Sequence, residues 1–346
     1  MVYGVGVIGA GAGVAALHLP TLGLLDDIFG VVHITDSGSG RAEALASPLG
    51  ARWSTGEEHL VADPDVDVVL ICSPPGEHAR QILAAVAAGK RAVFCEKPLA
   101  LTADEVDRVI EAARTSGTVL MVGTNHLFDF AWGRAKHHLL AARSPVRTVS
   151  VALSLPPNTR YHEAVAELDG APAAPRPRPD MSDPDVVAGM VWQLVSGLAV
   201  HDLPALRDLA PVFEHVVFAR AAAPVGYLLA YRASGVLIQL AAVMHPEGAD
   251  ALWRMTIATE HDRIEVAFPP AFVHAGSATV SVRGIDGRRT TYSRASDDGY
   301  LSEWRAFAGL LSGSEPVEYD ELRADALYGI AVADAAAERV KHEATR

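Results

Sequence analysis

The chain has 346 residues, half of them hydrophobic, which is enough for a sizeable core and two domains of ordinary size. Its 29 basic and 42 acidic side chains leave a formal charge of −13. That balance opposes binding to nucleic acid or an anionic membrane, since either needs a concentrated basic face. Two cysteines, Cys72 and Cys95, make no disulfide framework and fit a reducing compartment. No basic segment followed by an apolar run opens the chain, and the longest later apolar run, Val186 to Val200, is broken by Gln193 and Ser196. A cytoplasmic protein with no membrane partner is the expectation.

The first third alternates between two hydrophobic periods. Val5–Ile8, Val31–Thr35, Val66–Cys72, Arg91–Cys95 and Val119–Gly123 are short β-branched runs. Between them lie helical patterns at Val14–Leu25, Arg41–Leu49, Glu77–Ala88 and Ala103–Thr115. Strand and helix in alternation predict a doubly wound parallel sheet. Thr102 and Glu105 have the spacing of a capping box, and Gly89 and Gly117 stand where helices need a left-handed residue to stop.

After Gly123 the pattern changes, so the domains are read as 1–123 and 124–346. A helix at Phe130–Ala141 leads to a strand at Arg147–Leu155. A stretch with prolines at 156, 157, 172, 175, 177, 179 and 184 follows, read as a long loop. Seven alternating runs come next: Val212–Arg220, Gly226–Arg232, Val236–Met244, Trp253–Thr259, Arg263–Phe268, Ala278–Arg283 and Arg288–Ser293. They predict a large, open, mostly antiparallel sheet, with Asp286-Gly287 as a hairpin turn. Tyr300–Leu311 and Leu322–Lys341 read as closing helices.

Ligands of open parallel sheets sit outside the carboxyl ends of the strands. Gly9-Ala10-Gly11-Ala12-Gly13 ends the first strand, and glycines there let backbone approach a pyrophosphate while the next helix offers amides to it. The third glycine of G-x-G-x-x-G would fall at Val14, with Gly13 one residue early, and a tight turn without a ligand fits the motif equally well. Asp36 ends the second strand, where a carboxylate accepts hydrogen bonds from a ribose and repels a 2′-phosphate, favouring NAD over NADP. Ser37 and Arg41 lie close by and weaken that preference. Ser73-Pro74-Pro75 ends another strand, and His78 either touches a ribose or simply sits in the first helical turn. Cys95-Glu96-Lys97-Pro98 brings an ammonium group to a strand end; the alternative is a surface lysine.

In this order, the glycine turn, Ser73-Pro74-x-x-x-His78, Glu96-Lys97-Pro98 and Val122-Gly123-x-Asn125 resemble the Gfo/Idh/MocA oxidoreductase family, as do Glu303-Trp304-x-x-Phe307 and the final alanine-rich helix. The resemblance implies a Rossmann domain followed by an α+β domain whose open sheet forms homodimer or homotetramer contacts. It also implies hydride transfer between NAD, or alternatively NADP, and a hydroxyl or carbonyl carbon of a sugar derivative or cyclitol. The dinucleotide set becomes Gly9, Ala10, Gly11, Ala12, Gly13, Val14, Asp36, Ser37, Arg41, Ser73, Pro74, His78, Glu96, Lys97 and Asn125. Lys97 would stabilise alkoxide charge or relay a proton, with a pKa lowered by burial, and Glu96 would orient it.

The family's second site is D-x-x-x-H on a helix, where residues four apart share a face. His201 matches the histidine as the second catalytic residue, but Gly197 stands where the carboxylate should be, and Asp202, one residue along, should point elsewhere. An arginine expected near Leu127 is also missing, which makes His126 a candidate substrate contact beside a plain packing role. Arg160, Tyr161 and His162 are further substrate candidates, after Asn158 in the proline-rich stretch. His137-His138, His245 and His274 form no metal-ligand spacing. Two other activities fit the same fold: a glycosidase that uses bound NAD with no net redox, and a dinucleotide sensor without turnover.

Overall fold

The computed structural model describes residues 2–156, 180–245, 251–270 and 273–344. The described residues of 1–124 and 300–327 form one compact unit, and those of 125–299 and 328–346 form another. The sequence division after Gly123 leaves out this return of 300–327 to the first unit.

The first unit holds a six-stranded sheet: β1 (Tyr3–Ile8), β2 (Phe29–Asp36), β3 (Arg52–Thr55), β4 (Val68–Ile71), β5 (Ala92–Glu96) and β6 (Val119–Gly123). Their order is β3-β2-β1-β4-β5-β6, and every pair is parallel. β4 and the first four residues of β5 are fully buried, as strands covered on both faces must be. The order reverses between β1 and β4, which is the switch point where open α/β sheets bind ligands. Helices Pro75–Ala87 and Ala103–Ser116 make crossovers; the second carries the full Thr102/Glu105 capping box and stops at Gly117, φ 72°. Strand β3 and helix Glu58–Ala62 have no counterpart in the sequence reading. β3 is a four-residue edge strand with exposed side chains, so it carries no apolar period to read.

An aromatic cluster closes this unit. Phe94 on β5 stacks on Trp304 of helix Gly299–Ser312 at 4.5 Å between ring centroids, and Phe29 and Phe307 pack edge-on to that pair. Trp304 and Phe307 are fully buried, each such ring contributing about 3 kcal/mol or more on transfer from water.

The second unit holds an eight-stranded sheet. Its strands are β7 (Val146–Leu155), β8 (Phe213–Ala221), β9 (Val225–Ala233), β10 (Val236–Met244), β11 (Leu252–Thr259), β12 (Asp262–Ala267), β13 (Thr279–Gly284) and β14 (Arg289–Tyr292). The order is β14-β13-β12-β11-β7-β10-β9-β8, antiparallel throughout except for β7 beside β10. Alternate residues face the core: Val149, Val151, Leu153 and Leu155 on β7, Ile238, Leu240 and Ala242 on β10, Trp253, Met255 and Ile257 on β11. Asp286-Gly287 forms the β13–β14 hairpin turn, with Gly287 at φ 79°. Helices Phe130–Ala142 and Pro184–Gly197 pack on this sheet. The second has no range in the sequence reading, although its exposed Asp185, Gly189 and Gln193 and its buried Ala188, Val191 and Val195 follow helical spacing. No single described helix is long and apolar enough to cross a membrane.

Candidate functional site

The turn after β1 is shaped by close backbone approach. Gly9 has φ 110°, and a Cβ there would lie 2.7 Å from the Cys72 carbonyl oxygen beyond β4. Only glycine fits such a contact. Gly11 and Gly13 differ: a Cβ at either meets no atom within 4 Å. The turn is therefore tight on its sheet side and open on the other, as a backbone cradle for a pyrophosphate must be. The residues that follow form a π-helical segment, Val14–His18, continued by helix Leu19–Gly23. A π segment absorbs one extra residue without ending a helix, which is how the displaced third glycine is accommodated.

Asp36 ends β2 as expected. Its Oδ1 accepts from the amides of Gly38 (2.8 Å) and Ser39 (3.3 Å), and its Oδ2 from the Ser39 hydroxyl and the Ala42 amide (3.3 Å). Burial raises its pKa, but the Ser39 hydroxyl and the three amides outweigh that and hold it below the ordinary value. All four acceptor positions of the carboxylate are engaged, so a ribose diol would have to displace one of these donors. Ser37 and Arg41 are exposed on the same loop.

The ends of β4 and β5 are joined by His78, which is 1% exposed. Its Nδ1 lies 2.7 Å from the Pro98 carbonyl and its Nε2 2.9 Å from that of Ser73. Both ring nitrogens thus face backbone, and a ribose contact would cost one of them. The Ser73 hydroxyl donates to Gln81 Oε1, and Pro74 caps helix Pro75–Ala87, which begins three residues before His78.

Glu96 and Lys97 follow on β5, both half-buried, and the Lys97–Pro98 peptide is cis. Burial lowers the Lys97 pKa against the opposing charge of Glu96, so the lysine releases its proton more easily than an exposed one. For Glu96, burial works upward, but the His18 hydrogen bond first, and the charged groups nearby after it, bring its pKa below the ordinary value. His18 Nε2 is 2.8 Å from Glu96 Oε1. The thiols of Cys72 and Cys95 are pushed up by burial first and by Glu96 second, so they stay protonated and unreactive.

The second unit carries its own polar cluster. His201 Nδ1 is 2.8 Å from Asn125 Oδ1, and His126 Nδ1 is 3.0 Å from Asp202 Oδ1. Asp202 also accepts from Trp253 Nε1 at 2.9 and 3.2 Å. His126 stacks on Phe268 at 3.8 Å, and the His126 and His201 rings lie 5.5 Å apart. Asn125, His126, His201 and Asp202 are all buried.

The helical D-x-x-x-H expectation needs correction. The α-helix ends at Gly197, His201 closes a 3₁₀ turn, Ala199–His201, and a bend of 68° leads to helix Leu203–Leu209. The His201 amide bonds the Leu198 carbonyl three residues back, so residues 197 and 201 do not lie on one continuous α-helix. As expected, Asp202 does not pair with His201; its partners are His126 and Trp253. Arg160, Tyr161 and His162 lie outside the described residues.

Sequence reasoning missed His18, Trp304 as its partner, and Asp202 as the partner of His126. No spacing links residues 18, 96 and 304, so no local pattern exposes the first group. For the second, a buried aspartate directly beside the candidate histidine was the available signal.

Together these features define a Rossmann unit with a lysine at a strand end, and a separate unit built on an open sheet. Residues 3–124 match the model of the Gfo/Idh/MocA oxidoreductase family, NAD-binding Rossmann fold. The matched span is the N-terminal third of the chain. Over 126 residues it is 36% identical to myo-inositol 2-dehydrogenase of Thermotoga maritima, covering 36% of this chain and 37% of that protein. Over 174 residues it is 34% identical to inositol 2-dehydrogenase 3 of Saccharopolyspora erythraea, covering 49% and 51%. Over 134 residues it is 40% identical to 1,5-anhydro-D-fructose reductase of Ensifer adhaerens, covering 37% and 39%. The matched segments thus span about half of these relatives or less. Among solved structures, the 3-ketoreductase KijD10 of Actinomadura kijaniata, in complex with NADP and TDP-benzene, matches 95% of this chain and 96% of its own with a TM-score of 0.72 at 23% identity. That likeness shows the whole fold.

Proposed function

We propose that this protein is an NAD(P)-dependent oxidoreductase acting on a hydroxyl or carbonyl carbon of a sugar derivative or cyclitol, with NAD favoured over NADP. The observation that carries the reading is Lys97, a lysine eased toward proton release by burial, at the end of β5 in the sheet whose β1 turn is open at Gly11 and Gly13. The residues fit a nicotinamide dinucleotide: the open turn suits the pyrophosphate, and Asp36 at the end of β2 suits an adenosine ribose once Ser39 yields. When bound, that cofactor supplies the hydride acceptor or donor. Lys97 holds or receives the proton of the substrate oxygen and stabilises its developing negative charge. Glu96 orients Lys97 and keeps a compensating charge beside it. His201, whose Nδ1 lies 2.8 Å from Asn125 Oδ1, is the second proton carrier in this reading.

The relatives named above support a polyol or sugar substrate class, and a homodimer or homotetramer is the assembly we favour. On the sheet of the second unit, Phe218, Leu228 and Leu252 are between 36% and 40% exposed, which suits a face covered by another copy. Light scattering at several concentrations tests the assembly.

The deciding experiment titrates cofactor-free protein with NADH and NADPH by fluorescence, then follows net NADH change over a panel of cyclitols and sugars. Saturable binding with turnover supports the reading, and absence of binding by folded protein overturns it. Gly197 keeps the sensor alternative in the test, since it supplies no carboxylate. Tight binding without turnover on any substrate would favour that reading. Sugar release without net redox would favour the glycosidase.

A further inference from the structure

His18 is 2% exposed and closes the π segment at Val14–His18. An indole N–H only donates, so Trp304 Nε1 at 3.3 Å makes His18 Nδ1 an acceptor. The proton of the neutral ring then sits on Nε2, 2.8 Å from Glu96 Oε1. The ring is held edge-on to Phe94 and Trp304, at 5.9 and 6.2 Å between centroids, while those two stack on each other. Glu96 Oε2 in turn accepts the backbone amide of Lys97 at 3.3 Å. Gly123 on β6 leaves room for this carboxylate, since a Cβ there would come within 3.3 Å of Glu96 Oε1.

We propose that His18 is a positioning residue of the Lys97 site: its Nε2–H, fixed by Trp304, holds Glu96 as an aimed carboxylate, and through Glu96 it sets the protonation of the lysine. The inference rests on the reading of Lys97 as the proton-handling group, but its test needs no turnover. The groups facing Glu96 are His18, Lys97 and His78, together with the neutral thiols of Cys72 and Cys95; Glu303 faces Cys72. Burial disfavours both the carboxylate and the ammonium. His18 supplies the largest opposing contribution at Glu96. Without it the Glu96 carboxylate is no longer held in place, and the charge that offsets the burial of Lys97 is free to turn away.

The test is pH-dependent acylation of Lys97 in the full chain, read by mass spectrometry across the neutral and alkaline range. In the wild type, Lys97 should titrate below the exposed lysines. Glu96→Gln, which removes the charge, should move its midpoint further down by about one pH unit; His18→Phe, which only releases the carboxylate, should move it the same way by less, and the double variant no further than Glu96→Gln. His18→Gln, whose amide N–H can replace Nε2–H, should restore most of the shift. A Lys97 midpoint unchanged in His18→Phe or in Glu96→Gln overturns the proposal, even if thermal stability falls, because that would be a packing role alone. Should His18→Phe fail to fold, Trp304→Phe keeps the ring stack and frees the tautomer. It should give a smaller shift in the same direction. The wild-type His18 ¹⁵N spectrum should show the Nε2–H tautomer, and an Nδ1–H tautomer overturns the proposal. A failed substrate screen would remove the oxidoreductase reading and leave this titration intact.

Discussion

Alanine scanning of the three turn glycines separates what the fold needs from what a ligand needs. At Gly9 the backbone has φ 110°, and an added Cβ would lie 2.7 Å from the Cys72 oxygen and 2.8 Å from its carbonyl carbon. The left-handed conformation costs roughly 1–2 kcal/mol for a residue with a side chain. Pushing two backbone segments apart costs roughly a further 1–3 kcal/mol. Gly9→Ala should therefore lose roughly 2–5 kcal/mol, and at about 2–4 °C per kcal/mol its melting midpoint should fall by roughly 4–20 °C. At Gly11 and Gly13 nothing stands within 4 Å, and Gly13 already has the right-handed helical values φ −63° and ψ −37°. Alanine at Gly13 should leave stability unchanged or raise it by about 0.4–1 kcal/mol through the unfolded chain. At Gly11 the fold has no steric objection either. Both methyls, however, occupy the open side of the turn, where phosphate oxygens must come within hydrogen-bonding distance of backbone. NADH affinity should drop at least about tenfold, near 1.4 kcal/mol. Melting curves without cofactor, followed by NADH titrations, read both quantities on the same samples. Wild-type NADH affinity in Gly11→Ala would refute the cradle, and a wild-type melting curve for Gly9→Ala would refute the steric argument.

Lys97→Ala should reduce turnover by about 10²–10⁴-fold while sparing NADH affinity, and wild-type turnover would remove the proton-handling role. Asp36→Ala should narrow the gap between NADH and NADPH in titration and cost about 1 kcal/mol in melting, because the carboxylate also caps Gly38 to Ala42; an unchanged preference would leave only the cap. Asp202→Ala strands the His126 and Trp253 donors in a buried site, so a loss of about 2–5 kcal/mol is expected on denaturant unfolding, and a loss below 1 kcal/mol would contradict the observed network. Acid stability follows from sign. For Asp63, burial raises the pKa, but the His33 hydrogen bond, the Asp65 amide and Arg52 bring it below the ordinary value. Its contribution is full above the ordinary carboxylate pKa and is lost as pH falls through the native value. Asp63→Asn should flatten the acid limb of a stability profile, and a limb of unchanged steepness would show that other carboxylates govern it.

Alternating hydrophobic periods, glycines at turn positions and the capping box are local, and each was legible in the amino-acid order. β1, β2, β4, β5 and β6 follow from that order, as do the seven strands after residue 210 and the strand-end positions of Gly9, Asp36 and Lys97. Local order fails where the signal is weak or is supplied from elsewhere. β3 is an exposed edge strand with no apolar period to read. D-x-x-x-H spacing presumes a continuous helix, whereas the α-helix ends at Gly197 and His201 lies in a separate 3₁₀ turn. The partners of each candidate side chain belong to tertiary structure alone. His18 meets Glu96 and Trp304 across 78 and 286 residues of sequence, and Asp202 meets His126 and Trp253 across 76 and 51. A strand end and its residue type follow from a few neighbouring residues. The tautomer of an imidazole and the charge of a buried carboxylate depend on groups that only folding brings within 3 Å or so of them.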